Sequence, residues 1–259
     1  MLPQGLDAFV AAGRGAWLGL DFDGSLAPIV DDPAAARILP ASRGALARLV
    51  PLVGRVAVVS GRPAAFLAEH VGLAGITYAG IYGLERWQDG RVVLDPAVAG
   101  WASVIEQAAE EAGRVLPGVL VERKGAVAVT VHWRTTPEQG EAAAAWAAAA
   151  AQRLGLHVLP GRMAAELRPP VPVDKGSTVA GLAEGATAAA FAGDDAGDLA
   201  AFAALRKLVA TGGVEAAVTI GVASDESPAE VSAQDVVVDG PMGLAALLAQ
   251  LADELNAPH

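Results

Sequence analysis

The chain of 259 residues contains no cysteine, and this absence excludes three kinds of chemistry. Disulfide bonds, a thiolate nucleophile and a cysteine-ligated zinc site all require that residue. Aromatic residues are also scarce, at 5% of the chain. Because hydrophobic residues nevertheless make up 53%, alanine, valine and leucine must build most of a globular core.

The chain lacks an excess of basic residues as well. It has 18 lysines and arginines against 29 aspartates and glutamates, a net charge of −11 and a sequence pI of about 4.8. Proteins that bind nucleic acid usually present a basic face. We therefore expect no nucleic-acid partner. We also expect that any phosphate site is built locally, from backbone N–H groups, a metal ion and a few cationic side chains.

Long hydrophobic runs are missing too. The most apolar run, residues 142–151, is interrupted by Trp146 and flanked by Glu141 and Gln152, and it is too short to span a bilayer. The first ten residues, MLPQGLDAFV, do not have the basic-then-apolar order of a signal peptide. We therefore expect a soluble cytoplasmic protein with no membrane partner, and a monomer is the favoured oligomeric state.

Three apolar runs of strand length occur at Ala16–Leu20, Val56–Val59 and Ala188–Ala192, and each is followed by a polar turn. Runs without alternation are typical of a parallel sheet that is covered on both faces. Helical stretches lie between them, at Ser42–Leu49, Ala64–Val71 and Ser177–Glu184. The pattern predicts an α/β fold with a doubly wound, Rossmann-like parallel-sheet core.

The middle of the chain, residues 99–168, has a different rhythm, because a helix followed by two strands occurs twice. The predicted helices are Trp101–Arg114 and Pro137–Leu154, and the predicted strands are Gly118–Glu122, Val127–Trp133, Leu156–Leu159 and Met163–Leu167. This segment holds seven basic and seven acidic residues, so the flanking sequence carries the whole net charge of −11. We predict a core of residues 1–98 and 169–259 with a small α+β cap domain, residues 99–168, inserted in it.

Polar residues follow the predicted strands: Asp21 and Asp23 follow the first, Ser60 the second, and Asp194 and Asp195 the third. Carboxyl ends of parallel strands meet at one edge of the sheet, so these residues are expected to converge. Adjacent carboxylates repel each other unless a cation is present, and oxygen ligands are those that Mg²⁺ prefers. Taken singly, the motifs also fit an Asp/Gly turn at Asp21, a helix N-cap at Ser60 and a solvated Lys175.

In combination, the motifs Asp21/Asp23, Ser60, Lys175 and Asp194/Asp195 resemble those of the haloacid dehalogenase-type phosphatase superfamily. The insertion between the second and third motifs is similar to one class of cap domain in that superfamily. The resemblance implies an aspartyl-phosphate mechanism with Mg²⁺ as the cofactor.

The chain further resembles trehalose-6-phosphate phosphatases from about Leu18 to Phe202. The segments that carry this likeness are Asp21–Pro28, Gly80–Glu85, Glu122–Lys124, His132–Arg134 and Glu166–Pro169. Ser25 stands where threonine is usual in that family, and Tyr82 stands where histidine is usual. In the fourth motif, Gly197 and Leu199 replace threonine and glutamate, and we expect a hydrogen bond around the metal to be lost there.

The resemblance implies a role for each matching residue. Asp21 attacks phosphorus, and Asp23 protonates the leaving oxygen and later deprotonates water. Mg²⁺ is bound by Asp21, Asp194 and the backbone carbonyl of Asp23, with Asp195 and Asp198 holding its waters. The predicted phosphate-binding residues are Ser60, Gly61, Arg62 and Lys175. The predicted sugar-binding residues are Glu122, Lys124 and Glu166, followed by His132, Arg134, Arg168, Tyr82 and Gly83.

The expected function is Mg²⁺-dependent hydrolysis of trehalose 6-phosphate, with a functional link to a trehalose-6-phosphate synthase. A phosphatase for another sugar phosphate, such as sucrose or glucosylglycerol phosphate, would share the core and differ in the cap. The charged cap residues also fit surface ion pairs.

A phospho-accepting signalling module is a third reading, but in such modules the acidic pair comes first in the chain and no inserted domain is needed. A regulatory, non-catalytic subunit is disfavoured because every motif carboxylate is present.

Overall fold

The computed structural model of the chain describes residues 2–3, 5–30, 32–161, 163–225 and 227–257. The chain divides into a core unit, residues 1–92 and 173–259, and an inserted unit, residues 93–172. Among the described residues, no helix combines the length and the apolar character needed to cross a bilayer.

Parallel strands form most of the larger sheet. In the described residues this sheet has eight strands, in the order β12-β11-β10-β1-β2-β3-β4-β5. Their bounds are β1 Ala16–Leu20, β2 Arg55–Val59, β3 Ile76–Gly80, β4 Glu85–Gln88, β5 Arg91–Leu94, β10 Ala188–Gly193, β11 Ala216–Ala223 and β12 Val236–Asp239. Neighbours from β12 to β3 are parallel, whereas β4 is antiparallel to β3. The predicted α/β fold class is confirmed, although β3, β4, β5, β11 and β12 are not among the predicted strands.

Helices cover both faces of this sheet. Their bounds are α1 Asp7–Ala12, α2 Pro40–Leu49, α3 Ala64–Val71, α6 Lys175–Ala183, α7 Asp198–Ala210 and α8 Gly240–Leu255. In β1, Leu18 and Leu20 face a core shared with α2, α3 and α8, whereas Trp17 faces a core shared with α6 and α7. Burial on both faces explains why the strands read as continuous apolar runs.

The start of α6 is set by a capping box. Asp174 Oδ1 accepts a hydrogen bond of 2.7 Å from the backbone N–H of Ser177, and the Ser177 hydroxyl accepts one of 2.9 Å from Asp174 N. Such a reciprocal pair satisfies donors that the first turn leaves open. As a result the helix begins at Lys175, two residues before the predicted start at Ser177, and Lys175 is held in the first turn.

The inserted unit contains a second, antiparallel sheet with strand order β6-β7-β9-β8. Its elements are α4 Ala102–Val115, β6 Leu120–Lys124, β7 Ala128–His132, α5 Gly140–Leu154, β8 His157–Gly161 and β9 Ala164–Arg168. Val129, Val131, Ala165 and Leu167 point to one face and are buried in a core with α4 and α5. Because side chains alternate along a strand, the intervening polar residues share the opposite face.

The packing of β1 predicts that Gly19 tolerates no side chain. A Cβ at this position would overlap the Trp17 ring and lie 2.8 Å from Phe191 Cδ2. We expect Gly19→Ala to lower the free energy of unfolding by about 1–3 kcal/mol, as overpacked cores do. Urea unfolding would measure the change. Gly44→Ala is the matched control, because Gly44 lies exposed in α2 with open space around it, and helix propensity should raise stability by up to about 1 kcal/mol.

Candidate active site

The site lies between β1 and β10. From this point the later strands follow in opposite directions along the sheet, β2 and β3 on one side and β11 and β12 on the other. Asp21 directly follows β1 and Asp194 directly follows β10, and the backbone N–H of Asp21 donates to Ala192 O at 2.9 Å. Ligands of open α/β sheets bind at such a switch point, beyond the carboxyl ends of the strands. The structure therefore brings together aspartates that are 173 positions apart in the sequence.

Three buried carboxylates form the centre of this site. Asp21, Asp194 and Asp198 each offer an oxygen, and these oxygens lie within 4.8 Å of one another. The ammonium of Lys175 is only 4% exposed, and its Nζ donates to Asp21 Oδ1 at 2.7 Å and to Asp198 Oδ1 at 2.6 Å. One lysine thus balances only part of the negative charge in the group.

This imbalance is seen in the pKa of each member. Burial, followed by the charges of Asp198 and Asp195, raises the pKa of Asp194 to about 7. Burial also raises the pKa of Asp21 well above its ordinary value, although Lys175 opposes the shift. Burial by itself would lower the pKa of Lys175, but the carboxylates of Asp198 and Asp21 outweigh it, so that pKa is raised. The site therefore has excess negative charge that a cation would neutralise.

The donor set fits a hard divalent cation. Carboxylate oxygens are the ligands that Mg²⁺ prefers in proteins. Both oxygens of Asp198 already accept hydrogen bonds within the protein: Oδ1 from Lys175, and Oδ2 from the backbone N–H groups of Asp194 at 2.9 Å and Asp195 at 3.1 Å. Asp21 and Asp194 are therefore the carboxylates best placed to hold Mg²⁺, while Asp198 orders the loop around it.

The neighbours of Asp194 orient its carboxylate. The Ser25 hydroxyl donates to Asp194 Oδ1 at 3.2 Å, which holds one oxygen of that carboxylate. Gly24 has a φ of +76°, and a Cβ there would collide with the Asp194 carboxylate, so only glycine fits. Asp195 is exposed, and its Oδ1 accepts from Asp198 N at 3.1 Å. Asp195 is therefore not part of the buried group.

Ser60, the end of the second motif, is buried after β2. Its hydroxyl oxygen accepts a hydrogen bond of 3.2 Å from the backbone N–H of Arg62. It is not the N-cap of α3, which is Pro63. Gly61 has no room for a side chain, because a Cβ there would lie 2.8 Å from the Tyr82 hydroxyl. Tyr82, a predicted sugar-binding residue, thus lies beside two predicted phosphate-binding residues.

Asp23 and Arg62 form a two-pronged ion pair. Arg62 Nε donates to Asp23 Oδ2 and Arg62 Nη2 donates to Asp23 Oδ1, each at 2.7 Å. The structure therefore directs the guanidinium of Arg62 to the predicted acid and base. A phosphate-binding role of Arg62 stays a prediction.

A strained turn, residues 80–83, is hydrogen-bonded both to Ser60 in the second motif and to Thr178 of α6. Ile81 and Tyr82 have φ angles of 47° and 59°, which non-glycine residues adopt rarely and at a cost. Tyr82 N donates to Ser60 O at 2.9 Å, and Tyr82 O accepts from the Thr178 hydroxyl at 2.7 Å. Gly83 lies at φ 105°, where a Cβ would collide with Thr178.

Thr178 is a site residue that the motifs do not predict. It lies three positions after Lys175 on α6, so helical spacing alone could have marked it as a neighbour of the lysine.

In the inserted unit, six polar side chains share one face of the antiparallel sheet. We call this the polar face, and its residues are Glu122, Lys124, Thr130, His132, Glu166 and Arg168. Lys124 Nζ donates to Glu166 Oε2 at 2.7 Å, and the Thr130 hydroxyl donates to the same oxygen at 3.3 Å. His132 Nε2 lies 2.8 Å from Glu122 Oε2.

Two atoms of the polar face are buried without a protein partner. Among the described residues, Glu166 Oε1 and Arg168 Nε are inaccessible and make no hydrogen bond. Buried polar atoms are normally paired, so these two atoms are exceptions in the inserted unit. Thr130 is not among the predicted sugar-binding residues. The alternation of side chains along β7 could have identified it, because it shares a face with His132. The predicted residue Arg134 lies apart, exposed in the turn after β7.

Comparisons with known proteins identify the family and the fold of the chain. A family model described as Trehalose-phosphatase matches residues 19–241. A trehalose-phosphate phosphatase of Mycobacterium avium is 38% identical over 259 residues, which cover 95% of this chain and 64% of the relative. One from Mycobacterium tuberculosis is 45% identical over 167 residues, or 61% of this chain and 41% of the relative. The chain thus spans less than two thirds of the length of these curated relatives.

Solved structures share the fold. A structure described as a trehalose-6-phosphate phosphatase related protein has a TM-score of 0.74 and 23% identity, and covers 92% of this chain and 97% of its own. The C-terminal domain of the C. albicans trehalose-6-phosphate phosphatase has a TM-score of 0.72 and 22% identity, and covers 98% of both chains. At these identities the likeness is one of fold.

The charge imbalance predicts how stability depends on pH and on Mg²⁺. The pKa of Asp194 is about 7 in the folded chain and near 4 in an unfolded one, so the native state binds more protons between these values. The metal-free protein should therefore lose stability as pH rises from about 4 to about 7. Mg²⁺ binds the charged carboxylates, so it should raise Tm more at pH 8 than at pH 5.5, by about 5–10 °C at a hundredfold excess over Kd.

Thermal unfolding with chelator or Mg²⁺ at the two pH values checks this prediction. Asp194→Asn is the control, because the amide oxygen can still accept from Ser25 while the titrating charge is gone. A Mg²⁺ effect as large in this variant as in the wild type would contradict the assignment of Asp194.

Proposed function

The chain belongs to the trehalose-phosphatase family, and on this premise we propose that it hydrolyses trehalose 6-phosphate to trehalose and inorganic phosphate. The observation that carries the proposal is the buried group of Asp21, Asp194 and Asp198 with Lys175 bonded to two of them. Phosphoryl transfer needs positioning and charge stabilisation more than covalent help. A fixed carboxylate beside a lysine and a cation site supplies both.

Asp21 is the proposed nucleophile. Lys175 holds one of its oxygens, which fixes the orientation of the carboxylate at the strand end. An Asp21 oxygen attacks phosphorus, the bond from phosphorus to the sugar oxygen breaks, and an aspartyl phosphate forms. Ser60, which follows the neighbouring strand β2, and Lys175 of α6 would bind the phosphoryl oxygens.

Asp23 is the proposed acid and base. Its carboxyl group gives a proton to the leaving sugar oxygen, so the sugar departs as an alcohol. The resulting carboxylate then takes a proton from the water that attacks phosphorus, which releases phosphate and restores both aspartates. Asp21, Asp194 and the backbone carbonyl of Asp23 would hold Mg²⁺, with Asp195 and Asp198 beyond them. When bound, Mg²⁺ supplies positive charge that offsets the charge of the phosphoryl oxygens.

The polar face of the inserted unit is the proposed binding surface for sugar hydroxyls. Its charged groups suit hydroxyls, which both donate and accept hydrogen bonds. The pairs Lys124–Glu166 and His132–Glu122 fix such groups on this face, which supports the assignment. A sucrose or glucosylglycerol phosphatase would share the core chemistry and differ at this face. The substrate implies an enzyme that supplies a phosphorylated disaccharide, and a trehalose-6-phosphate synthase is the proposed functional partner.

A substrate panel tests the proposed function. We expect Mg²⁺-dependent phosphate release from trehalose 6-phosphate in preference to glucose 6-phosphate, sucrose 6-phosphate and glucosylglycerol phosphate. Asp21→Asn should lower kcat by more than about 10³-fold, because an amide is a poor nucleophile. Asp7→Asn is the matched control, since Asp7 lies exposed at the start of α1.

Preference for another sugar phosphate would leave the proposed mechanism in place but contradict trehalose 6-phosphate as the substrate. A long-lived aspartyl phosphate without turnover would instead favour a phospho-accepting module.

The polar face predicts a change in substrate affinity without a change in core chemistry. Lys124→Met should raise KM for the sugar phosphate about 10- to 100-fold, since one charged hydrogen bond contributes about 1.5–3 kcal/mol. Hydrolysis of 4-nitrophenyl phosphate, which has no sugar, should be unaffected. Arg123→Met is the control, because Arg123 precedes Lys124 on β6 but bonds Glu106 of α4 from the opposite face. Equal effects of the two variants would argue against sugar binding at this face.

A further inference from the structure

Within the described part of the chain, the guanidinium of Arg62 is held by at least three groups, which belong to Asp23, Pro33 and Phe66. Nε and Nη2 donate to the two oxygens of Asp23, each at 2.7 Å. Nη1 donates to Pro33 O at 2.7 Å. The plane of the guanidinium lies over the Phe66 ring, with Cζ 4.9 Å from the ring centre. Its orientation is therefore determined from several directions.

The support under Arg62 is itself packed. The Phe66 ring stacks on His70, with ring centres 3.9 Å apart, and meets Phe22 edge to face at 5.8 Å. Phe22 lies between Asp21 and Asp23 in the sequence and is fully buried. Arg62 thus packs on an aromatic cluster that includes Phe22, the residue before Asp23. A guanidinium fork matches a carboxylate in a single plane, which a lysine cannot do.

We propose that Arg62 is a positioning residue that holds the carboxylate of Asp23 in the place from which it takes a proton from the attacking water. The inference rests on the proposed function, because it assigns Arg62 to one half of that reaction. The proposed role follows proton transfer to the sugar, when both oxygens of the Asp23 carboxylate can accept from the guanidinium as they do in the structure. In that state the fork of Arg62 keeps Asp23 beside Asp21 while the aspartyl phosphate awaits water.

Water attack is the step that depends on this arrangement. The water oxygen bonds to phosphorus, the bond from phosphorus to Asp21 breaks, and the water proton moves to Asp23. Without the fork, the Asp23 carboxylate can rotate away from the line of attack. Misplacement of a catalytic group by about 1 Å can cost on the order of 10²-fold in rate. Formation of the aspartyl phosphate from a substrate with a good leaving group does not need Asp23, because that group departs unprotonated.

The test separates the two half-reactions with 4-nitrophenyl phosphate and Mg²⁺. The burst of 4-nitrophenolate measures formation of the aspartyl phosphate, and the steady-state rate measures its hydrolysis. Arg62→Lys should keep the burst rate of the wild type and slow the steady state by about 10- to 100-fold. With trehalose 6-phosphate, the release of phosphate should slow to the same extent, because the same aspartyl phosphate is hydrolysed.

Two further variants check that the effect passes through Asp23. Phe66→Leu removes the ring under Arg62 and should slow the steady state in the same direction, which keeps the test open if Arg62→Lys folds poorly. In an Asp23→Asn background, Arg62→Lys should cause no additional loss, because the group it positions is gone. Arg43→Lys is the matched control, since the Arg43 guanidinium bonds the carbonyls of Val71 and Gly72.

Other outcomes would overturn the proposal in distinguishable ways. A slower burst, a higher KM for both substrates and weaker inhibition by inorganic phosphate would show that Arg62 binds the phosphoryl group instead. Kinetics like those of Arg43→Lys would show that the pair with Asp23 has no role in the reaction. Absence of hydrolysis of either substrate by the wild type would overturn the proposed function, and this proposal with it.

Discussion

The candidate active site depends on the ion pairs that the buried ammonium of Lys175 makes with Asp21 and Asp198. A buried lysine is costly to desolvate, and it is retained only where carboxylates compensate it. Here the capping box of Asp174 and Ser177 holds Lys175 in the first turn of α6, so its side chain reaches both aspartates. Asp198 in turn binds the backbone of the loop after β10. The two ion pairs of Lys175 thus order elements that lie far apart in the sequence.

The single positive charge of Lys175 does not balance the three buried carboxylates of Asp21, Asp194 and Asp198. Asp194 keeps a raised pKa because burial and its acidic neighbours disfavour its charge. A site that is short of positive charge in this way is suited to bind a divalent cation and, through it, an anionic substrate. The acidic chain as a whole needs no basic patch for this purpose, since backbone N–H groups and a single lysine supply the local positive charge.

The two sheets of the molecule illustrate two uses of side-chain alternation. In the parallel sheet both faces are buried, so polar residues occur only where strands end, and chemistry is confined to that edge. In the antiparallel sheet of the inserted unit one face packs on α4 and α5 and the other is polar. The polar face can therefore change in sequence while the apolar face of the same sheet keeps the unit folded.

The sequence by itself determined the α/β fold class and the central strands β1, β2 and β10, because their burial on both faces makes them continuous apolar runs. It also determined which residues follow those strands. It did not indicate β3 to β5, β11 or β12, which are less continuously apolar or bear polar ends. Only the tertiary structure decided that Arg62 faces Asp23, that Asp198 joins the buried carboxylates and that Thr178 supports the turn at Tyr82. Such pairings depend on strand order and helix placement, which local sequence patterns do not encode.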